Sequence, residues 1–448
     1  MKQFSFALSL CLLIPLASYG QLPCELDTTN LMSLVDMQDT VRYLETPTFE
    51  GYEGGLYPGG SNEIPIAHKR RGIQISKTLL PLDTLGNVDF ENGKVVFAGL
   101  GASTAGNTWN HFVDKVESEP GINPCLQVVN GCQGAKGLEI MIDTANLKWY
   151  WYENVLPKLY DQGVTPEQVQ AIWIRSASKE DTIMEFPLFP NAIADKYAAL
   201  MPILQDTFPN IKLAFVSGFF YGGYADTAKA FYDVVVEPGS YWTNYSVKWL
   251  VERQISGDTT LVYRGADRKS PWIGWGPHTW SDGTRANTYD SLFWDCELDF
   301  APDGGGYHLT NAGKDKDSDL MMEWAKTNPV TKRWFLDNPF WTSCDGSGRL
   351  SSGEDLITDS DIYVPKEMRL FPSPNQGVFT VQFGEVPEGL TELNVYNSFG
   401  QQITSISAPS ITNGGTINVQ LQDVPNGMYL LEVLSNEAPV VKQFTVTR

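Results

Sequence analysis

Histidine is the scarcest reactive side chain in this sequence, with four in 448 residues, at positions 68, 111, 278 and 308. Any imidazole chemistry must draw on one of them. Basic residues are also short: 32 Lys and Arg stand against 53 Asp and Glu, leaving a formal charge of −21. Gripping a nucleic-acid backbone needs clustered Lys and Arg, so no nucleic-acid partner is expected. The acidity reads instead as a solubility device for a salty exterior. Cysteine is sparse, six in all, with no repeated C-x-x-C and no nearby histidine to complete a tetrahedral site. That leaves no basis for a zinc centre, and neither metal nor cofactor is expected. Past the first residues no uncharged apolar run is long enough to cross a bilayer.

What the sequence does hold begins with a leader. Lys2 supplies a positive start, Phe6 to Leu16 an apolar stretch, and Ser18-Tyr19-Gly20 a small-residue cleavage site. Residues 1–20 therefore read as a signal peptide. Pro23 before Cys24 breaks a lipoprotein cleavage box, so a soluble exported chain is expected. Cys11 leaves with the leader, and Cys24, Cys125, Cys132, Cys296 and Cys344 remain. Disulfides suit an oxidising exterior, but an odd count leaves at least one thiol free or paired elsewhere. Cys125 with Cys132 is a candidate local bridge, and Cys24 with Cys344 could tie the ends of the main domain; the sequence decides neither.

After a Gly- and Pro-rich entry from Thr46 to Pro65, strand and helix patterns alternate. Lys94–Ala98, Leu126–Val129, Gln170–Ile174 and Lys212–Ser217 read as buried strands. Leu147–Tyr160, Ile193–Thr207, Tyr245–Gln254 and Thr310–Thr327 carry helical spacing, the last with Thr310 as N-cap and Asn328-Pro329 as stop. Strands separated by helices of that length imply an α/β domain, a parallel sheet with helices on both faces. The run Lys314-Asp315-Lys316-Asp317-Ser318-Asp319 reads as a solvated helical face rather than a metal loop. Residues 345–367 are Ser-, Gly- and Asp-rich and read as a linker. From 368 to 448 about seven short alternating strands separated by turn signals suggest a small β-sandwich.

The chemistry-bearing positions are few. Ser103 follows the apolar run Val95-Val96-Phe97-Ala98 and sits among Gly99, Gly101 and Gly106. A serine at a strand-to-helix turn exposes its hydroxyl and sets helix N–H groups beside a developing oxyanion. The same glycines fit a dinucleotide-binding turn poorly, because the third falls two positions late and Asn130 stands where an acid is wanted. His308 ends the glycine-rich segment Asp303-Gly304-Gly305-Gly306-Tyr307-His308, just before a capped helix. It is the candidate base that would make the serine hydroxyl a nucleophile. Asp303 is the candidate that orients it, with Asp299 as the alternative. Trp272 reads as core, whereas Trp275 and His278 are candidates for the wall of a substrate cleft.

Two resemblances follow from these stretches. Pro81-Leu82-Asp83, Gly101-Ala102-Ser103, Val129-Asn130-Gly131-Cys132-Gln133-Gly134, Tyr221-Gly222-Gly223-Tyr224 and His308-Leu309-Thr310-Asn311-Ala312-Gly313 resemble the SGNH, or GDSL-type, hydrolase superfamily, in particular secreted bacterial members of unassigned substrate. That likeness runs over about Arg71 to Leu336. It implies a flavodoxin-like three-layer fold, Ser103 as nucleophile, His308 as base, and an oxyanion hole from the Ser103 and Gly134 N–H groups. The superfamily's remaining donor is an Asn; here Ser178 takes that place. The usual Asp-x-x-His spacing is also stretched by two residues between Asp303 and His308. The tail, with Leu370-Phe371-Pro372-Ser373-Pro374-Asn375, Asn394-Val395-Tyr396-Asn397-Ser398-Phe399-Gly400 and Pro425-Asn426-Gly427-Met428-Tyr429, resembles the sorting domain of type IX secretion substrates. It implies passage through that machinery and later removal of the tail.

The expected organisation is a signal peptide (1–20), an SGNH-like domain (21–344), a linker (345–367) and a sorting β-sandwich (368–448). The expected function is a secreted serine esterase that deacylates carbohydrate esters. The alternative is a non-catalytic carbohydrate-binding or adhesin-like surface protein on a degenerate SGNH scaffold.

Overall fold

The computed structural model describes residue 24 and residues 31–37, 41–179, 185–226, 233–265, 267–302 and 305–337, then 368–372, 375–383, 390, 392–397, 402–407, 415–422, 424–434 and 440–447. The proposed leader and linker, and Asp303, lie outside these residues. The chain divides into two units, Met1–Arg349 and Leu350–Arg448.

In the first unit a two-stranded ribbon, β1 (Arg42–Tyr43) with β2 (Tyr52–Glu53), and helix α1 (Ile66–Ser76) precede the main sheet. There follow β3 (Val95–Gly101), α2 (Ser103–Ser118), β4 (Leu126–Asn130), α3 (Leu138–Ile142), a π-helical stretch at Lys148–Val155 that runs into α4 (Leu156–Asp161), and β5 (Val169–Arg175). Then come α5 (Leu188–Thr207), β6 (Leu213–Val216), α6 (Gly239–Ile255), β7 (Trp272–Trp275), α7 (Cys296–Asp299), α8 (Asn311–Thr327) and α9 (Lys332–Phe335). The five sheet strands stand in the order β4-β3-β5-β6-β7, every pairing parallel. This is the flavodoxin-like 2-1-3-4-5 order, in which the chain reverses its direction of winding between the first and third strands.

Strand β3 is buried at all seven positions, as a parallel strand covered on both faces must be. Val96, Ala98 and Leu100 enter one core with α3 to α6, and Val95 and Phe97 enter the other with α2, α8 and α9. Helix α2 buries Ala105, Trp109, Phe112 and Val116, a stripe at three- to four-residue intervals. The Trp109 indole lies parallel to Trp173 of β5 at 5.2 Å and donates to the Val129 carbonyl at 2.9 Å. Helix α8 turns Met321, Met322 and Ala325 to the same core. Sequence patterning located four of the five strands and the helices α4, α5, α6 and α8. It missed β7, whose Trp272-Ile273-Gly274-Trp275 is only four residues long and reads as cleft and core aromatics.

The disulfide expectations are corrected. Cys24 is joined to Cys296, not to Cys344, with Cα atoms 5.6 Å apart. Cys132 is a buried free thiol, so it makes no bridge with Cys125, which is itself disulfide-bonded.

The second unit contains β8 (Arg369–Phe371), β9 (Val378–Gln382), β10 (Glu392–Asn397), β11 (Gln402–Ser407), β12 (Thr416–Gln420), β13 (Gly427–Leu434) and β14 (Val440–Val446). They form a three-stranded sheet, β12-β9-β8, and a four-stranded sheet, β11-β10-β13-β14, with antiparallel pairings throughout. Alternate residues such as Phe379, Val381, Leu393, Val395, Leu431 and Phe444 meet in one core between them.

Candidate active site

The C-terminal ends of parallel strands are where ligands of open α/β sheets bind, at the point where winding reverses. Ser103 stands there, as the first residue of α2 directly after β3. The turn that delivers it depends on Gly101, whose φ is +143°; a Cβ there would come within 2.2 Å of the Arg175 carbonyl oxygen. Ala102 caps α2 without a side-chain acceptor. The first-turn N–H groups of α2, that of Ser103 among them, therefore have no partner inside the helix, and they carry its positive dipole end.

His308 reaches the same place from 205 residues away. An antiparallel bridge between Phe300 and Leu309, with Ala301 N–H donating to the His308 carbonyl at 2.9 Å, pins the loop that ends in His308. Thr310 then caps α8 by accepting from Gly313 N–H at 3.1 Å. The result is a hydrogen-bond contact of 3.1 Å between Ser103 Oγ and His308 Nε2. Asp303, the expected partner of His308, lies outside the described residues. Asp299, the alternative, is buried; its Oδ2 accepts from the Asp295 N–H at 2.8 Å and from Lys316, while its Oδ1 has no hydrogen-bond partner.

The remaining candidates divide. The loop after β4 is sewn to the end of β3 by Gly131 N–H to Gly99 O at 2.9 Å and Gln133 N–H to Gly101 O at 2.8 Å. This carries Gly134 and Ala135 to the side of Ser103, with Gly134 exposed. Ser178 follows β5 but is only 2% exposed. A cavity of 250 Å³ opens beside the couple, lined by Ser103, His308 and the largely apolar set Ala135, Ala177, Phe219, Val234, Val235 and Tyr307, with Lys179 contributing a basic side chain. Ser178 is not among the lining residues. A larger hollow of 520 Å³ lies at the opposite end of the strands, against Lys94, Val113, Asn123 and Leu126, with no serine or histidine among the described residues that line it.

Trp275 and His278 are not cleft residues. The Trp275 indole is 2% exposed and donates to the Leu56 carbonyl at 2.6 Å. His278 is buried without a hydrogen-bond partner on either ring nitrogen, and burial pulls its pKa down to about 4 against the opposing pull of Asp36. The segment around Asp36 and Leu56 covers both, which strand and helix periodicity could not foresee.

The sequence reading also passed over a buried ion pair below the serine. Arg175, the last residue of β5, donates from Nη1 and Nη2 to the two carboxylate oxygens of Asp317 at 2.5 and 3.0 Å, and both side chains are fully buried. Asp317 also accepts from Thr108 Oγ1 at 2.7 Å, and Arg175 Nη2 donates to Thr279 Oγ1 at 3.1 Å. The run 314–319 is thus not wholly solvated. Asp315 and Asp319 meet His111 and Lys115 at the surface, while Asp317 points inward. A lone arginine closing the apolar run Val169-Gln170-Ala171-Ile172-Trp173-Ile174 was the available signal.

Residues 369–447 match the family model for a secretion system C-terminal sorting domain. The tail is a type IX sorting domain. It directs the chain to the cell surface or the extracellular space and implies engagement with the type IX machinery. Among the described residues no helix is long and apolar enough to cross a membrane. No curated protein matches the chain in sequence. Solved structures similar to it include a putative GDSL-like lipase from Parabacteroides merdae, 10% identical over 52% of this chain and 96% of that one, with a TM-score of 0.26. Another is a carbohydrate esterase described as having divergent catalytic and non-catalytic binding functions, 11% identical over 52% of this chain and 69% of that one, TM-score 0.26. A DUF3244 immunoglobulin-like sandwich from Bacteroides vulgatus is 15% identical over 18% of this chain and 83% of that one, TM-score 0.16. Scores this low carry no argument about activity.

Proposed function

We propose that the first unit is a serine esterase that removes short acyl groups from carbohydrate. The observation that carries this reading is the 3.1 Å approach of Ser103 Oγ to His308 Nε2 at the mouth of an apolar cavity. In the first half-reaction Ser103 Oγ bonds to the acyl carbonyl carbon while its proton passes to His308 Nε2. The carbonyl oxygen takes the negative charge, facing the N–H groups of Ser103 and Gly134. Collapse of this intermediate breaks the bond to the sugar oxygen, which leaves with the proton from His308. Water repeats the sequence on the acyl-serine, releasing the acid and restoring the hydroxyl. Asp303 would steady the imidazolium. A cavity of 250 Å³ suits an acetyl or similarly short acyl group. In domain terms, 1–20 would be the signal peptide, 21–344 the esterase, 345–367 the linker and 368–448 the sorting tail.

A second reading, a carbohydrate-binding protein on a disabled hydrolase scaffold, is favoured by one observation. Ser178 is buried away from the cavity wall. A fluorophosphonate probe followed by peptide mapping separates the two. An adduct on Ser103, with turnover of acetylated xylan or p-nitrophenyl acetate, supports the esterase. Folded protein that takes up no probe but retains glycan binding supports the second reading.

A further inference from the structure

Arg175 and Asp317 form the only fully buried pair among the ion pairs of the described residues, and their surroundings are unusual. The guanidinium lies 5.1 Å from the Trp173 ring centroid and 5.5 Å from that of Phe220, so it is walled by aromatic faces as well as bonded at its ends. Two buried charges incur a desolvation cost that their attraction roughly offsets, so an apolar pair would serve stability as well. Retaining charge here calls for a role that an apolar pair fills less well, namely fixing direction.

The geometry supplies one. Ser103 begins α2, and Thr108, five residues on, donates to Asp317 Oδ2 at 2.7 Å. His308 lies just ahead of α8, and Asp317 sits on that helix nine residues later. The carboxylate therefore ties α2 to α8, and its bidentate partner ties both to the end of β5, where the Arg175 carbonyl oxygen also crowds Gly101. We propose that the Arg175–Asp317 pair, with Thr108, is a positioning device that sets the register of α2 against α8 and so holds Ser103 within reach of His308. The inference rests on the esterase reading. Arg175 and Asp317 touch neither substrate nor reacting atoms; they act through the two helices. Displacement of a nucleophile from its base by even about 1 Å is enough to slow reaction roughly a hundredfold.

The test uses the full chain and two variants. Thr108→Val keeps both charges and the side-chain shape but removes the tie to α2. Arg175→Met/Asp317→Leu removes the pair together and leaves no unpaired buried charge. For each folded protein the rate constant of Ser103 labelling by a fluorophosphonate is measured, along with kcat and KM for p-nitrophenyl acetate per titrated active site. A positioning role predicts labelling and kcat lowered about tenfold or more with KM changed less than about twofold. A merely structural role lowers the titrated fraction and leaves the rate per site unchanged, and that result overturns the inference. If the double variant does not fold, Thr108→Val decides alone, since wild-type rates in it refute the tie. Wild-type protein that is never labelled at Ser103 refutes the esterase reading instead, and this proposal with it.

Discussion

The Oγ of Ser103 and the Nε2 of His308 are 3.1 Å apart, although 205 positions separate them in the chain. One arrives on a strand end whose glycine turn leaves no room for a side chain, the other on a two-strand bridge that closes its loop. Replacing either should abolish the same chemistry without unfolding the protein, because both side chains are only partly buried and neither belongs to a core. Ser103→Ala and His308→Ala should each lower hydrolysis of p-nitrophenyl acetate by about 10³-fold or more. Near-native melting curves beside that loss would tie it to chemistry; activity within a few-fold of wild type would remove the couple from the reaction.

The Gly101 turn makes a sharper prediction. Gly101→Ala places a methyl group 2.2 Å from the Arg175 carbonyl oxygen in a conformation that side chains avoid. Backbone must move, so stability should fall by about 1–3 kcal/mol and Ser103 should lose its place beside His308. Urea titration and probe labelling together check this. An alanine variant that labels at the wild-type rate would contradict the turn described here.

For the buried ion pair the order of damage is diagnostic. Arg175→Met alone strands the Asp317 carboxylate in a dry interior and should cost about 3–5 kcal/mol. Adding Asp317→Leu to that variant should restore much of the loss, even though it deletes a further native group. A double variant less stable than the single one would mean that the pair matters chiefly as a bond.

Acid should weaken the first unit through two imidazoles. Burial lowers the pKa of His68, which stacks on Trp272 at 4.5 Å, and of His278, each to about 4 from 6.5. The unfolded chain takes up these protons below its ordinary histidine pKa, whereas the folded chain does so only near pH 4. The stabilisation is therefore complete above pH 6.5 and is lost as pH falls from there towards 4, by as much as about 3 kcal/mol per imidazole. Urea midpoints measured between pH 7 and 4.5 should decline, and His278→Leu should flatten part of the slope. An unchanged slope would place the acid sensitivity elsewhere.

The thiols differ in the same way. Cys24–Cys296 closes a separation of 272 residues, and Cys24→Ser/Cys296→Ser should cost about 2–4 kcal/mol. Burial pushes the Cys132 thiol up to about 12 despite Lys158 and Arg175 nearby, so Ellman's reagent at pH 8 should find it only after unfolding.

Much of this was readable from the residues. Apolar runs such as Val95-Val96-Phe97-Ala98 announce buried parallel strands, and Thr310 followed by a helical stripe announces α8, because strand and helix periods are local properties. Ser103 and His308 were also legible as candidates, since both stand at element ends where glycine clusters. What escaped depends on contacts between distant segments. Trp275 and His278 look like cleft residues until Leu56 and the chain near Asp36 are seen to cover them. Asp317 looks solvated within Lys314-Asp315-Lys316 until Arg175, 142 residues away, is found against it. Pairing of Cys24 with Cys296 is equally non-local, and spacing could not decide it.

Among the described residues, the cluster that forms the tail's interior runs from Met368 to Val446. A module whose packing is self-supplied can be severed from its passenger, or spliced behind a foreign one, without opening the interior of either. Address and cargo are thus separable pieces of matter. A peptidase that cuts the join after export would discard the address and leave the first unit as built.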